Sequence, residues 1–490
     1  MLKKFAGMAV VMALVLGLAG TAVAAPPHEV VLDTADDTLN AGDDLGDENT
    51  PGGVIAEAGA GGDGSPASPW LYQFTSGGLD VGSYKVYTDN YGDVTNGDYG
   101  ESFLLNLGGY DLDGASGGVS LSTNRYSFYA APAGDITVEN VGEVSIGGVD
   151  TQARSKDHTA SSGNFRIGTS AVPATGDVRI DYVDTRRLSS AGGAAGSVTI
   201  YGEGDVRIAT SGGAPGNLDV YTVDRANSGS VNVQHDGSFV AGTIDAQNDS
   251  HTKSAGSLTF NGDALGDGAS GSFEASNLYA YQNKGTYGDD GGDVTITGYK
   301  TVTVTGDVLT YETSGKQWNT SPQAGDITVT AEDKIQLQGE INANAARGAS
   351  YDGVVSLTAT GSEIVVGDPE NPGSEVLDLD NMQYILFDSA DGKSYIYQDI
   401  ENWFPPAADE LGDLAAYTSD KIRVGNEGDQ VFYDPTVNPD LMFGAPGGIY
   451  PLSGGGVPGT LEPILPPVPE PAGLSLLGLA LLGIRRKRRS

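Results

Sequence analysis

Four aspartates, Asp150, Asp184, Asp224 and Asp245, recur in one short context: Val-Asp or Ile-Asp followed by a small or polar residue. Each falls at the outward position of a short strand closing a repeating unit. Stacked units would bring the four carboxylates into a column about 4.8 Å apart. Carboxylates so placed can do two kinds of chemistry. Paired acids flank the scissile bond in glycoside hydrolysis, and oxygen ligands gather around Ca2+. A solvated acidic face needs nothing further, since salt and splayed side chains relieve the repulsion. That plainer reading is preferred, because no dedicated acid or base partner accompanies the column. Weak Ca2+ binding is retained as an expectation; no other cofactor, no metal ligand set and no catalytic residue is assigned.

Other reactive constellations are missing from the sequence. His28, His158, His235 and His251 fall in an N-terminal arm or in loops, no two of them at metal-ligand spacing on one element. They are expected to be ordinary solvated residues. The chain has no H-E-x-x-H, no G-x-S-x-G and no phosphate-binding glycine loop of the Walker type. It has no cysteine, so neither a disulfide nor a thiolate metal site holds it together. With 65 acidic against 26 basic residues the formal charge is −39, which disfavours nucleic acid and anionic membrane as partners.

The elements that must position the aspartates are strands. Residues 325–345 read GDITVTAEDKIQLQGEINANA, three short segments in which apolar residues alternate with polar ones. A period of two is the mark of a half-buried strand. The opening strand of this unit recurs with its first inward residue at Ile136, Phe165, Val198, Val231, Leu258, Val294, Ile327 and Val355, separated by 27 to 36 residues. Between the strands run Gly-, Ser- and Ala-rich loops of variable length. Constant strands and variable loops describe a solenoid, where an insertion leaves the stacked core untouched. The predicted fold is all-β: a right-handed parallel β-helix, three short strands per coil, with caps at both ends. One shared register puts Thr137, Arg166, Thr199, Asn232, Thr259, Thr295, Thr328 and Ser356 on the outside of the first strand.

In chain order, residues 1–24 read as a signal peptide: Lys3 and Lys4, an apolar run, then Ala22-Val-Ala24 as a small-residue cleavage site for signal peptidase. Residues 25–68 are an acidic, Gly/Pro-rich arm or irregular cap. Residues 69–117 are expected to form irregular N-terminal coils, residues 118–366 the regular helix, and residues 367–446 a C-terminal cap. Within that cap, residues 382–397 suggest two strands and residues 405–417 a short helix. Residues 447–467 form a Gly/Pro linker.

The last segment, residues 468–490, carries Pro469-Glu-Pro471, an apolar stretch over 472–484, and the basic cluster Arg485-Arg-Lys-Arg-Arg489. This tripartite pattern, which includes Glu470, Arg486, Lys487 and Arg488, closely resembles the PEP-CTERM sorting signal. The resemblance implies recognition by an exosortase, a membrane-embedded cysteine protease of exopolysaccharide-producing Gram-negative-type bacteria. Thirteen residues of helix span only about 20 Å, short of a bilayer core of about 30 Å. Transient membrane contact before cleavage therefore fits better than a permanent anchor.

The coils are similar, more loosely, to the β-helix of filamentous haemagglutinin-type adhesins. The shared features are the GDITV-like opening and the INA or IDA strands before Gly/Ser/Ala loops. Together the two resemblances imply an exported, non-enzymatic, structural or adhesive protein of the cell envelope or extracellular matrix, partnered with exopolysaccharide. The alternative is a secreted β-helix polysaccharide lyase or hydrolase, which a cleft lined by basic residues and paired acids would favour. A remoter alternative is ice binding, from the T-x-T array at Thr295, Thr328 and Ser356.

Overall fold

The computed structural model describes residues 102–368 with gaps at 124–131, 154–159, 189–191, 224–225, 250–252, 284–289, 314–322 and 346–352. Outside that span it describes residue 69, strands between Val31 and Tyr87, and strands between Tyr384 and Pro451. The signal peptide, the short helix expected at 405–417 and the sorting tail lie outside the described residues, as does the linker beyond Pro451; its early residues, Gly448–Pro451, form a strand instead.

The described chain is an all-β parallel solenoid with three strands per coil, each stacked on its equivalent in the next coil to form three columns. The first column runs through Ile136–Glu139, Phe165–Ile167, Val198–Tyr201, Val231–Gln234 and Leu258–Asn261, and on to the first halves of Val294–Val304 and Ile327–Leu337. Every opening residue expected from the sequence pairs with the next: Ile136 with Phe165, then Val198, Val231, Leu258, Val294, Ile327 and Val355. Alternation carries the information, because a slip by one residue would turn the whole apolar set to solvent. Those opening residues are at most 1% exposed and form one continuous core from Phe103 to Phe387.

Two side-chain devices hold successive coils in line. The glycine before each opening strand leaves no room for a side chain. A Cβ on Gly163, Gly196, Gly229 or Gly256 would stand 1.7–1.9 Å from the carbonyl oxygen of the equivalent glycine one coil earlier. The residue after that glycine is a short acceptor that bonds forward. Asp135 Oδ1 accepts from the Asn164 N–H (2.7 Å), Asn164 Oδ1 from Ser197 (2.9 Å), Ser197 Oγ from Ser230 (3.1 Å) and Ser230 Oγ from Ser257 (3.1 Å). The same relay continues through Asp293 and Asp326 to Val354. Backbone N–H groups at the corner thus find partners without interrupting the sheet.

A threonine closes several coils. The Oγ1 of Thr151 donates to the Gly163 carbonyl (2.6 Å) and that of Thr310 to the Gly325 carbonyl (2.7 Å). Both threonines are fully buried. Thr151→Val, nearly the same shape without the donor, is expected to lower stability by about 1 kcal/mol in denaturant titration, the usual worth of one such bond.

The boundaries expected at the ends need correction. Trp70–Ser76 pairs in parallel with Phe103–Asn106, which pairs with Ile136–Glu139, so the coils are already in register well before residue 118. Tyr384–Ser389 and Ser394–Tyr397 continue the first and second columns in parallel instead of capping them. Their alternation is that of any other coil, and sequence alone does not show where repetition stops. The parallel order ends in antiparallel pairs at both extremities. Val31–Thr34 runs antiparallel to Lys85–Tyr87 and Val54–Ala56 to Trp70–Ser76; at the far end Val431–Phe432 is antiparallel to Ile422–Val424 and Gly448–Pro451 to Leu441–Ala445. Such pairs cover strand edges that would otherwise template aggregation.

Candidate functional site

The third column carries the aspartates. It runs through Val119–Ser122, Gly148–Asp150, Val183–Asp184, Leu218–Asp219, Thr243–Asp245, Asn277–Tyr279, Val308–Leu309 and Ile341–Asn342. Asp150 pairs with Asp184, Asp184 with Asp219, and Asp219 with Asp245. The carboxylate column expected from the sequence therefore exists, with one member corrected. Asp219 holds the third rung; Asp224 lies outside the described residues. The preceding turn explains the displacement. It folds back on itself, with the Thr210 N–H donating to the Ala214 carbonyl and Ala209 bridging Pro215, so the strand reaches the column at Leu218. The later Val223-Asp224 pair imitates the motif after Thr222, whose backbone has already aligned with Asn248.

The column is not the solvated face expected of it. Asp150 and Asp184 are 6% exposed and Asp245 9%. Each of these carboxylates caps the chain two residues on. The Gln152 N–H donates to Asp150 Oδ1 (3.0 Å), the Arg186 N–H to Asp184 Oδ1 (3.2 Å) and the Gln247 N–H to Asp245 Oδ1 (3.0 Å). Two of the side chains that follow, Gln152 and Arg186, reach carboxylates of the column. Gln152 Nε2 donates to Asp184 Oδ2. Arg186 places Nε 2.9 Å from Asp184 Oδ2 and Nη1 3.8 Å from Asp219 Oδ2, with its guanidinium 5.7 Å from the Tyr221 ring centroid. Burial pushes the Asp184 carboxyl up to about 7; Arg186 opposes the rise, and the neighbouring Asp150 and Asp219 add to it. Burial likewise lifts Asp245 to about 7, against the Gln247 N–H and with help from Asp219 and Asp249, and it raises Asp219.

His235 is the one histidine of the four within the described residues, and it overturns the expectation of solvated loop histidines. It is fully buried, inside a cluster of Phe239, Phe260, Phe273 and Tyr299. Nδ1 lies 3.1 Å from the Gly204 carbonyl and Nε2 2.8 Å from the Tyr299 hydroxyl. A carbonyl only accepts, so Nδ1 carries the proton and Nε2 accepts from the tyrosine. Burial pushes the imidazole down to about 4, and the Gly204 carbonyl and Asp205 only partly offset it. A neutral, sealed ring with both nitrogens engaged is a core polar pair. The sequence signal was available: Val231 and Val233 point inward, and the same parity puts His235 inward.

A third group forms beside the loop after Leu258–Asn261. Oxygens of Asp236, Asp263 and Asp267 lie within 4.8 Å of one another. The Gly268 N–H donates to Asp263 Oδ1 (3.1 Å) and the Leu265 N–H to Asp236 Oδ1 (3.4 Å). An open cleft of about 640 Å3 adjoins them, lined in part by Asp263, Asp267, Ser270, Lys300, Glu332 and Thr360. Nothing in the sequence marked this group, because the loop between Asp263 and Ser272 brings its members together.

The outward threonines of the first column align as expected, Thr295 with Thr328 and then Ser356. Compared with family models, with curated proteins and with solved structures, the chain matches none.

Proposed function

We propose that this solenoid is a structural or adhesive protein of the cell surface or extracellular matrix, exported, sorted by its PEP-CTERM tail and partnered with exopolysaccharide, without catalytic activity. The observation that carries the reading is where the polar side chains spend their hydrogen bonds. Asp135, Asn164, Ser197, Ser230 and Ser257 each bond to the coil that follows, and Asp150, Asp184 and Asp245 cap their own turns. Groups that would serve a reaction elsewhere serve the stack here. A repeating scaffold with loops of variable length offers many weak contacts, and many weak contacts joined in one body bind a polymer strongly. Exosortase and signal peptidase enter only as processing partners.

The test is mass spectrometry of the mature protein from envelope and medium fractions, with an assay for chain scission on the organism's own exopolysaccharide. The expected product begins after Ala24 and ends near Pro471, lacks residues 485–490 and releases no new sugar ends. An intact tail in the membrane fraction overturns the sorting, and released ends overturn the non-catalytic reading.

A further inference from the structure

The third column also bears on how the protein responds to pH. Sheet pairing fixes Asp184, Asp219 and Asp245 on successive rungs, about 4.8 Å apart, and each is held by its own strand. Two ionised carboxylates at that spacing repel by about 3 kcal/mol at an effective dielectric near 20. Splaying is restricted, because Asp184 and Asp245 use Oδ1 to cap the turn that follows. Arg186 is the cation on this face, paired with Asp184 and, more distantly, Asp219; Asp245 lies one rung further on. Arg187 beside Arg186 is buried and donates from Nη1 to the Ala153 carbonyl; among the described residues the other titratable neighbours add no positive charge. Asp150 and Tyr279 flank the column at either end, Tyr221 and Tyr281 stand in the neighbouring row, and Asp249 follows in the loop.

We propose that the stacked carboxyls of Asp184, Asp219 and Asp245 form a proton-held fastener on the third face of the solenoid, closed in acid and progressively released as the pH rises to neutrality. One guanidinium cannot balance three stacked carboxylates, two of them buried and Asp219 partly so, and the fold retains protons that the unfolded chain gives up. The upward shifts of Asp184 and Asp245 agree with this. For an acid whose folded pKa is raised, the unfolded state ionises first, and stability falls as pH rises from the unfolded value through the folded one. The window therefore runs from about 4 to about 7, with the full penalty reached above it.

The chain contains its own neutral counterpart. Asn342 occupies the same column three coils beyond Asp245, is 9% exposed, and accepts the Asn344 N–H on Oδ1 at 3.1 Å. An amide therefore makes the same cap without the charge, so Asp→Asn variants are expected to fold.

The experiment compares thermal unfolding of the full chain with that of the Asp184→Asn/Asp245→Asn double variant between about pH 5 and about pH 9, with infrared detection of protonated carboxyl groups at neutral pH. The wild-type melting temperature is expected to fall by roughly 5–10 °C across this range relative to the double variant. The protonated-carboxyl band is expected at neutral pH in the wild type and lost in the variant. Parallel melting curves, or no such band in the wild type, overturn the proposal. Should the double variant fail to fold, the infrared titration of the wild type decides alone.

Discussion

Gly196→Ala is expected to destabilise the solenoid by at least about 3 kcal/mol, and Gly196→Val to prevent the stack from forming. Space is the reason. An ideal Cβ on Gly196 lies 1.8 Å from the Gly163 carbonyl oxygen and 2.6 Å from its carbon. Overpacking against side chains costs about 1–3 kcal/mol because side chains give way. Here the obstacle is backbone at a corner where coils meet, and the Gly196 N–H is bonded to the Thr185 carbonyl at 2.9 Å. Moving either strand would break the ladder above and below. Gly212→Ala is the control: its nearest neighbour is the Thr210 hydroxyl at 3.9 Å, and a change within about 0.5 kcal/mol is expected. Denaturant titration of the two variants decides. Equal stabilities would show that the corner yields and that the glycine column is not a steric requirement.

The second large effect concerns His235 in acid. The folded imidazole is held down to about 4 against 6.5 for the free group. For a base so depressed the unfolded chain takes up the proton first, so stability falls as pH drops from about 6.5 and levels off below about 4. The full loss is about 3 kcal/mol. The aspartate column acts in the opposite sense over an overlapping range, so the wild-type profile alone does not isolate the histidine. His235→Phe does. It keeps the ring in the aromatic cluster and removes the titration, but leaves the Tyr299 hydroxyl and the Gly204 carbonyl without their partner. The variant is expected to be about 2–5 kcal/mol less stable at neutral pH and to lack the acid-side loss. Stability measured against pH for both proteins tests this. An identical acid slope would mean that the imidazole does not govern acid unfolding.

The first column was legible in the sequence residue by residue because its two faces differ in polarity and the glycine before it is obligatory. Period-two alternation fixed the register from Ile136 to Val355, and the same parity pointed His235 inward, although a loop was the more familiar home for a histidine between Gln234 and Asp236. The third column was harder to read. At the aspartates its strands are two or three residues long, too short for alternation to accumulate, and the turn at 210–216 displaced the strand so that Asp224 resembled the motif while Asp219 held the rung. Burial of the carboxylates was not legible at all. It comes from Gln152 and Arg186, each two residues along, and from the neighbouring coil, and no local pattern of apolar residues announces it. The acidic group at Asp236, Asp263 and Asp267 was hidden for the same reason.

The relay of short acceptors at the opening corner has a direction. In every bond from Asp135 to Val354 the accepting side chain belongs to the earlier coil and the donating N–H to the later one. A finished coil therefore presents to the chain behind it a row of acceptors already in place, and needs nothing from that chain to satisfy its own opening corner. Growth of the solenoid from its N-terminal end is templated, whereas growth from the other end would begin with corner amides awaiting partners not yet present. A chain that emerges N-terminus first can lay down its coils in the order in which they appear, each the mould for the next.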